Sequence, residues 1–433
     1  MPVKTNAQKV WSLEECIQYA IDNNIRIQQQ ENITSGMKKN VTFSKLAILP
    51  SLNANLNHNY SFGRTLNVET YEYVNTQLES GGIGANTGMT LFSGLQNLYR
   101  IQQSKYDHLS SLEDLQLAKN DISISISGAY LNILLDQELL DVAEKTLEVS
   151  KQQLNRERIF YEEGARAISS VLLLQSQVSG EELAVTNAKN SLKYSILTLT
   201  QLLRLPSTDN FQIQDPGELL TVFPEAITSV NSVYEYASKN MPQIIGAEYR
   251  MKSSEKSLAI SRASLIPSIS IGASYSSRYN ELKVNPTDPY ADYPYIEQLK
   301  DLGSEYVGFG LNIPIYNRMQ SRRSILQAKI QAMNSKLDLD AAKQTLYQQI
   351  QQSYNLAITA SDKYKSSESL VSSAKEAFNF IEKQYEVGLV TSIEYNVSKN
   401  ELTRAESILI QSKYEYVFYT KMLDFYKGKQ ITL

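Results

Sequence analysis

Three groups of residues in this sequence could take part in chemistry. The run GGIGANTG (Gly81–Gly88) spaces glycines much as a phosphate-binding loop does, and His58 and His108 are the two histidines. Four carboxylates crowd one short segment, where they could bind calcium: Asp288, Asp292, Glu297 and Asp301. Whether any group forms a site depends on the elements that hold it.

None of these groups has the context that its chemistry requires. A dinucleotide loop follows a strand and opens a helix at once, whereas these glycines alternate along a strand-like stretch, Gly81–Phe92. The histidines lack metal-motif spacing, so we expect His58 to be an ordinary strand residue and His108 a helix-surface residue. The carboxylates match no calcium loop, and we expect a solvated external loop. With no nucleophile motif either, the sequence predicts no enzyme, no cofactor and no metal site.

The composition indicates an ordered protein that does not bind nucleic acid. The 433 residues are 42% hydrophobic and 20% charged, with a net charge of −4 and no basic cluster. The single cysteine, Cys16, excludes an intrachain disulfide. No apolar run reaches the length of a transmembrane helix, about 18 residues, and the first residues lack the apolar core of a signal peptide. We expect either a cytosolic protein or a mature form whose signal peptide is absent from this sequence.

The stretch Ser51–Phe62 alternates between amide and apolar side chains, as a β-strand with two different faces does. One face carries asparagines and the other large apolar residues: Asn53, Asn55, Asn57 and Asn59 against Leu52, Leu56 and Phe62. An amide face of this kind suits contact with water.

Similar alternation predicts three more strands. They cover Gly81–Phe92, Ile266–Tyr275, where Ile269 and Ile271 are apolar, and Tyr306–Ile315. Each is roughly ten residues long, which fits a tilted membrane-spanning strand. An apolar face could equally cover a protein core, so the strands alone leave both environments open.

A very long helix is predicted from Ser93 to Glu163, where no proline occurs. About 70 residues at 1.5 Å each give a path of roughly 105 Å, which requires a coiled coil or a bundle. The segment Asp121–Ser127 alternates like a strand, but its counterpart Thr345–Ile358 has helical character, so we predict helix for both. Two shorter helices are predicted over residues 13–48 and 166–204.

The chain contains two copies of one unit. Three pairs of segments match in the same order: Gln18–Asn24 with Glu235–Met241, Leu49–Asn55 with Ile266–Gly272, and Tyr161–Gly164 with Tyr385–Gly388. The order of predicted elements also repeats, which indicates a duplicated fold. We therefore divide the chain into a first repeat (11–206), a linker (207–228) rich in helix breakers and a second repeat (229–428).

With these features the sequence resembles the TolC-type outer-membrane efflux proteins. The resemblance covers nearly the whole chain and is carried by the duplication, the strands after proline and the paired turns YEEGA and YEVGL. It implies an α+β membrane protein in which each chain gives four strands to a trimeric twelve-stranded β-barrel, with long coiled-coil helices forming a periplasmic tunnel. The residues alone require only that at least two chains close the barrel, because open strand edges are not tolerated in lipid. The choice of a homotrimer rests on the resemblance.

In such a barrel the two strand faces acquire different surroundings. The asparagines Asn53, Asn55, Asn57 and Asn59 would face a water-filled lumen. The apolar residues would face outer-membrane lipid: Leu52, Leu56, Phe62, Ile269 and Ile271.

The turns at Gly164 and Gly388 have two interpretations. Each glycine follows a long helix, where a residue without Cβ is a favoured C-cap. The resemblance implies in addition that these hairpin tips dock onto a periplasmic adaptor protein, with Ala165, Leu389 and Val390 among the contacts.

The resemblance also implies an acidic ring at the narrow end of the tunnel. Glu394 stands where the family places one such acid, whereas Val397 departs from the pattern at the position of a second. The first repeat has Ser170 at the place of Glu394. We expect one ring of three carboxylates, and the alternative is that Glu394 is a solvated helix-surface residue.

These features predict a passive exit duct in the outer membrane that extends into the periplasm. It would work with a periplasmic adaptor and an inner-membrane pump, and it would conduct small molecules or proteins outward. The alternative is a soluble coiled-coil scaffold or a fibre-like structural protein without a membrane role.

Overall fold

The computed structural model describes residues 10–66, 71–208, 211–215, 217, 229–281, 285, 287 and 291–432. Within these ranges the first half of the chain forms β1 (Val10–Trp11), α1 (Leu13–Asn23), α2 (Ile25–Leu46), β2 (Ser51–Leu66), β3 (Tyr73–Phe92), α3 (Gln96–Glu162) and α4 (Ile168–Leu203). The second half forms β4 (Gln212–Ile213), α5 (Val230–Asn240), α6 (Pro242–Ala263), β5 (Ser268–Asn280), α7 (Tyr295–Asp301), β6 (Ser304–Asn312), α8 (Gln320–Glu386) and α9 (Ser392–Tyr426). The two halves follow the same order, apart from α7, which stands between the strands of the second half.

The helix predicted over residues 13–48 is two helices. Ser12 and Glu15 begin α1 with the reciprocal bonds of a capping box. The helix ends at Asn24, whose backbone is extended, and the Asn24 side chain then accepts a bond from the Arg26 N–H at 2.8 Å. One asparagine therefore ends α1 and caps the start of α2, and the periodicity on either side does not reveal the break.

The helices α3 and α8 each run for 67 residues without interruption, as predicted. The strand-like segment Asp121–Ser127 lies inside α3 and is helical. Its serines donate to carbonyls four residues back, for example Ser123 to Lys119 at 2.9 Å and Ser127 to Ser123 at 2.8 Å. These bonds satisfy the hydroxyls within the helix, so the alternation has no effect on the fold.

The chain divides into two compact units that cut across the predicted repeats. The first unit contains Met1–Thr34, Ser111–Ala247 and Leu339–Leu433, and the second contains Ser35–Ser110 and Glu248–Asp338. Each unit therefore combines parts of both halves of the sequence. Part of the predicted linker, including residues 218–228, lies outside the described residues.

The first unit has an apolar core where α1, α3 and α4 meet, around Cys16, Ile126 and Leu199. At its edge β1 and β4 form a short parallel pair. The Tyr130 hydroxyl lies between them and is within hydrogen-bond distance of the carbonyls of Gln214 (2.6 Å) and Trp11 (3.2 Å). This buried tyrosine thus joins the two strands to the long helix.

The second unit contains an antiparallel sheet in the order β2-β3-β5-β6. The sequence predicts these four strands, but two are longer than expected. The segment between the first two predicted strands, residues 63–80, is mostly strand as well, because the ladder continues to the pair Leu66 and Tyr73. Polar side chains occur along this segment, such as Arg64, whose guanidinium lies 5.0 Å from the centre of the Tyr73 ring. They obscure the apolar alternation by which a strand is recognised in a sequence.

The acidic segment is only in part the solvated loop that was predicted. Asp288 lies outside the described residues, whereas Glu297 and Asp301 belong to α7. This helix packs on β5, where Ser277 donates to the Leu299 carbonyl at 2.6 Å. Among the helices that the structure describes, none combines the length and apolar character needed to cross a membrane.

Candidate functional site

The pairing register brings the apolar residues of all four strands to one face of the sheet. Leu56 pairs with Ile83, and Ile271 pairs with both Met89 and Phe309. Large side chains on this face stand open to the surroundings: Leu56 is 78% exposed and Phe309 is 75% exposed. Leu52 and Phe62 are equally open, Ile269 is exposed and Ile271 is half-buried. A patch of this kind marks an interaction surface or contact with lipid.

The opposite face of the sheet carries amides, hydroxyls and glycines. Asn55 pairs with Gly84 and Asn57 with Gly82, so the predicted asparagine face continues across β3. The Asn55 Oδ1 lies 2.8 Å from the place that a Cβ of Gly84 would occupy. A side chain at position 84 would therefore make the Asn55 side chain shift, because it lies directly over the neighbouring strand.

The histidines differ from their predicted roles. His58 stands on the apolar face, where Nδ1 is hydrogen-bonded to the Tyr279 hydroxyl and Nε2 lies 3.4 Å from Glu79 Oε1. It therefore links three strands rather than acting as an ordinary strand residue. His108 is half-buried in α3 rather than on its surface. In the described parts of the chain, no three His, Cys, Asp or Glu residues are grouped to hold a metal.

The two turns at the hairpin tips have the same backbone geometry. Gly164 and Gly388 have φ angles of +75° and +78°. In the first turn the Ala165 N–H bonds to the Phe160 carbonyl at 2.8 Å, and in the second the Leu389 N–H bonds to Gln384 at 2.9 Å. These are Schellman caps, as expected for glycines at helix ends. Leu389 is 75% exposed, Ala165 is exposed and Val390 is half-buried.

Glu394 has a role that the sequence analysis missed. Its Oε2 accepts the Thr391 N–H at 2.8 Å, and its own N–H donates to Thr391 Oγ1 at 3.3 Å, which forms a capping box at the start of α9. The backbone bond from Thr391, with the Thr391 side chain second, lowers the Glu394 pKa. The signal was visible in the spacing of Thr391 and Glu394, which matches that of Ser12 and Glu15. The first tip has Ala167 as N-cap and no such bond.

A second missed feature is a buried carboxylate near the tips. Glu157 of α3 is 2% exposed, and its Oε2 accepts a 2.8 Å bond from the Tyr385 hydroxyl of α8. Arg166 Nε lies 4.0 Å from the other oxygen. Burial, and then the bond to Glu157, raises the pKa of Tyr385. The two hairpins are thus joined through polar groups close to their tips.

A buried lysine joins the same two hairpins at a point further from the tips. Lys399 of α9 donates to the Thr146 carbonyl at 2.8 Å and to Ser150 Oγ, and its Nζ lies 3.2 Å from Glu181 Oε1. Burial lowers the Lys399 pKa, and the Glu181 carboxylate opposes this shift. The contacts of Glu157 and Lys399 form a polar seam between the two hairpins. On α3 the residues of this seam, Thr146, Ser150 and Glu157, follow heptad-like spacing, which is its signal in the sequence.

Comparison with known proteins identifies the family. The family model described as outer membrane efflux protein matches residues 16–203 and 233–421. The chain is 20% identical over 380 residues to the outer membrane efflux protein BepC of Brucella suis, covering 88% of this chain and 77% of that protein. It is 23% identical over 434 residues to the outer membrane protein TolC of Vibrio cholerae, covering 95% and 90%.

A solved structure supports the same fold. The CmeC outer membrane channel of Campylobacter jejuni matches with a TM-score of 0.77 at 13% identity, covering 100% of this chain and 91% of that one. The predicted fold class, with barrel strands and very long helices, is confirmed. Since the family model covers most of the sequence, the chain belongs to the outer membrane efflux protein family, and its predicted outer-membrane location and role as an exit duct are confirmed.

Proposed function

We propose that three copies of this chain close one twelve-stranded barrel and act as the exit duct of an adaptor and pump assembly. The observation that carries the proposal is the sheet of the second unit. It has one apolar face, one amide face and two edge strands, β2 and β6, each with a single neighbouring strand in the described part of the chain. In lipid the edge groups need partners, and strands from further copies supply them.

The two faces of the sheet fit the two sides of such a barrel. Lipid contact would cover the open side chains of Leu52, Leu56 and Phe62, together with Ile269 and Ile271. Water in the lumen would solvate Asn53, Asn55, Asn57 and Asn59, which would otherwise lose hydrogen bonds in an apolar medium. The reverse arrangement would bury amides in lipid and expose a continuous apolar wall to water.

The hairpin tips are the proposed contact with a periplasmic adaptor. Gly164 and Gly388 fix the turns, and the apolar side chain of Leu389 is exposed at the second tip. Ala165 and Val390 would complete the contact. A partner pump is supported by relatives such as the probable efflux pump outer membrane protein TtgC of Pseudomonas putida.

Glu394 is the proposed constriction residue. Its lowered pKa keeps the carboxylate ionised, and Oε2 receives the capping bonds while the residue remains exposed. One Glu394 from each of three copies would form a ring of negative charge, which attracts cations and repels anions. The capping role and the pore role are compatible because they use different parts of the carboxylate.

Membrane fractionation of cells that express the protein with an export signal tests the proposed assembly. We expect the protein in the outer-membrane fraction, migrating as a trimer before heating and as a monomer after heating. Purified trimer should form discrete conducting channels in planar bilayers. A monomeric protein in the soluble fraction would contradict the proposal and favour a scaffold role.

A further inference from the structure

The amide face of the sheet carries one charged side chain. In the rows formed by Ser51–Ser61, Ser80–Thr90, Ser268–Asn280 and Ser304–Asn312, this face consists of Asn, Ser, Gly, Thr and Tyr with Arg278 as the single charge. The acidic strand residues Glu79 and Glu305 pair with Tyr60 and Tyr275 and so belong to the apolar face. Over these rows the face has a positive group and no carboxylate.

Arg278 stands in a row with an asparagine and a glycine. Gly82 of β3 pairs with Asn57 on one side and with Arg278 on the other. A Cβ at Gly82 would lie 2.7 Å from the Ser277 carbonyl oxygen, 3.5 Å from Asn57 Oδ1 and 3.6 Å from Arg278 Cα. Glycine is needed here because a Cβ would collide with the Ser277 carbonyl, so no side chain stands between Asn57 and Arg278 in this row.

The neighbouring row of paired residues extends this open surface into a trough. Gly84 stands between Asn55 and Ser276, and Ser276 pairs with Ser304. The resulting cavity has a volume of about 570 Å³, and Arg278 is exposed within its lining. This volume accommodates an organic group rather than a single small ion. Within the described residues, no carboxylate forms an ion pair with the Arg278 guanidinium.

The chemistry of the trough fits an anionic group. A guanidinium binds carboxylate, phosphate or sulfate through two parallel N–H bonds, and amide and hydroxyl groups can donate further bonds to the remaining oxygens. The site is open to water, so each contact is weak. Weak binding suits a duct, where a group must be able to enter and to leave.

We propose that the trough around Gly82 and Arg278 is a transient binding site for anionic groups of the cargo. The proposal rests on the proposed function, since it takes the amide face as the lumen wall. Three copies would place three guanidiniums around the barrel interior. Anionic cargo would thus meet an attractive site in the barrel, whereas Glu394 would favour cations elsewhere in the duct.

Block of single channels by citrate tests the site. Citrate added on the barrel side of a planar bilayer should reduce the conductance of wild-type channels. In Arg278→Gln the half-blocking concentration should rise by about threefold or more, and Arg278→Lys should lie between the two. Arg64→Gln is the matched control, because its guanidinium lies on the Tyr73 ring. Equal block in wild type and Arg278→Gln would overturn the proposal.

Chemical modification of assembled Arg278→Cys channels gives a second test. It compares the same folded channel before and after modification, so a folding defect does not affect the result. In assembled channels, a cationic methanethiosulfonate reagent should restore citrate block, and an anionic reagent should not. Restoration by both reagents or by neither would overturn the anion site while leaving the duct intact. If Leu56→Cys reacts from the aqueous lumen and Arg278→Cys does not, the faces are reversed, and the proposed barrel fails together with the site.

Discussion

The Tyr385 hydroxyl donates a 2.8 Å hydrogen bond to Oε2 of Glu157, and this bond joins α8 to α3. Tyr385 is 5% exposed and Glu157 is 2% exposed. Among the described residues, Glu157 Oε1 has no hydrogen-bond partner. The tyrosine therefore stabilises a buried charge that also lies near Arg166.

Replacing Tyr385 with phenylalanine should loosen the contact between the hairpins. A buried carboxylate that loses this partner costs about 1–3 kcal/mol of unfolding free energy. Chemical denaturation of the purified protein measures this loss, and limited proteolysis should cut faster near the tips. Tyr161→Phe, at the equivalent and exposed position of the first tip, is the control. Equal stability of the two variants would show that the bond contributes nothing.

The two roles of Glu394 can be separated by paired variants. Glu394→Gln retains a capping side chain but removes the charge, so the channel should lose cation preference and keep its stability. Thr391→Ala removes the cap and retains the charge, so stability should fall while cation preference persists. Reversal potentials in a KCl gradient and thermal unfolding measure the two effects. Unchanged selectivity in Glu394→Gln would move the constriction to other residues.

The charge of Glu394 should persist to a lower pH than that of an ordinary glutamate. The folded pKa lies below the ordinary value of 4.5, so more than half of the carboxylate is ionised at that pH. Its stabilising contribution is therefore complete above the unfolded pKa and disappears as pH falls through the folded pKa. We expect cation preference to persist at pH 4.5 in wild-type channels and to be absent in Glu394→Gln at every pH. Loss of wild-type preference well above pH 4.5 would contradict this prediction.

Arginine substitutions should distinguish the two faces of the sheet. Leu56→Arg and Ile271→Arg would each place a charge in lipid, at a cost of about 2–4 kcal/mol near the midplane. Asn55→Arg, next to Leu56 but on the other face, should assemble normally. Trimer yield in the outer-membrane fraction measures assembly. If Asn55→Arg is the damaging substitution, the lumen and lipid faces are assigned the wrong way round.

Charge at the second hairpin tip should stop export without affecting assembly. Changing both Leu389 and Val390 to aspartate would introduce two charges into the proposed apolar contact with the adaptor. We expect loss of export in a drug-susceptibility assay, with trimer yield unchanged. Ala165→Asp gives the matching test at the first tip. Normal export by the Leu389 and Val390 variant would exclude this tip from docking.

Much of the fold is visible in the sequence because its signals are local. The alternation in Ser51–Phe62 defines a strand face, and the glycines of the two turns mark the ends of the longest helices. The capping box of Thr391 and Glu394 is equally local and was overlooked. By contrast, the break at Asn24 depends on one extended residue between two helical patterns.

The partners across the polar seam between the hairpins could not be derived from any one segment. Lys399 looks like an ordinary helix residue until Thr146 and Glu181 are brought beside it. Likewise, the sequence around Glu157 does not indicate that this residue is buried, because its partner Tyr385 lies in the other half of the chain. Such pairs depend on which helices become neighbours, and that information is spread over the whole sequence.

The same seam has a consequence for the order in which the protein folds. Lys399 and Glu181 are 218 residues apart in sequence, and Tyr385 and Glu157 are 228 apart. The sheet has a similar dependence, because Ile83 of β3 pairs with Ser277 of β5. Long-range contacts of this kind form slowly, since a large loop must close before they stabilise the chain. The first half, synthesised alone, would lack the partners of Glu157 and Glu181 and would have an open strand edge, so native structure has to wait until nearly the entire polypeptide has been made.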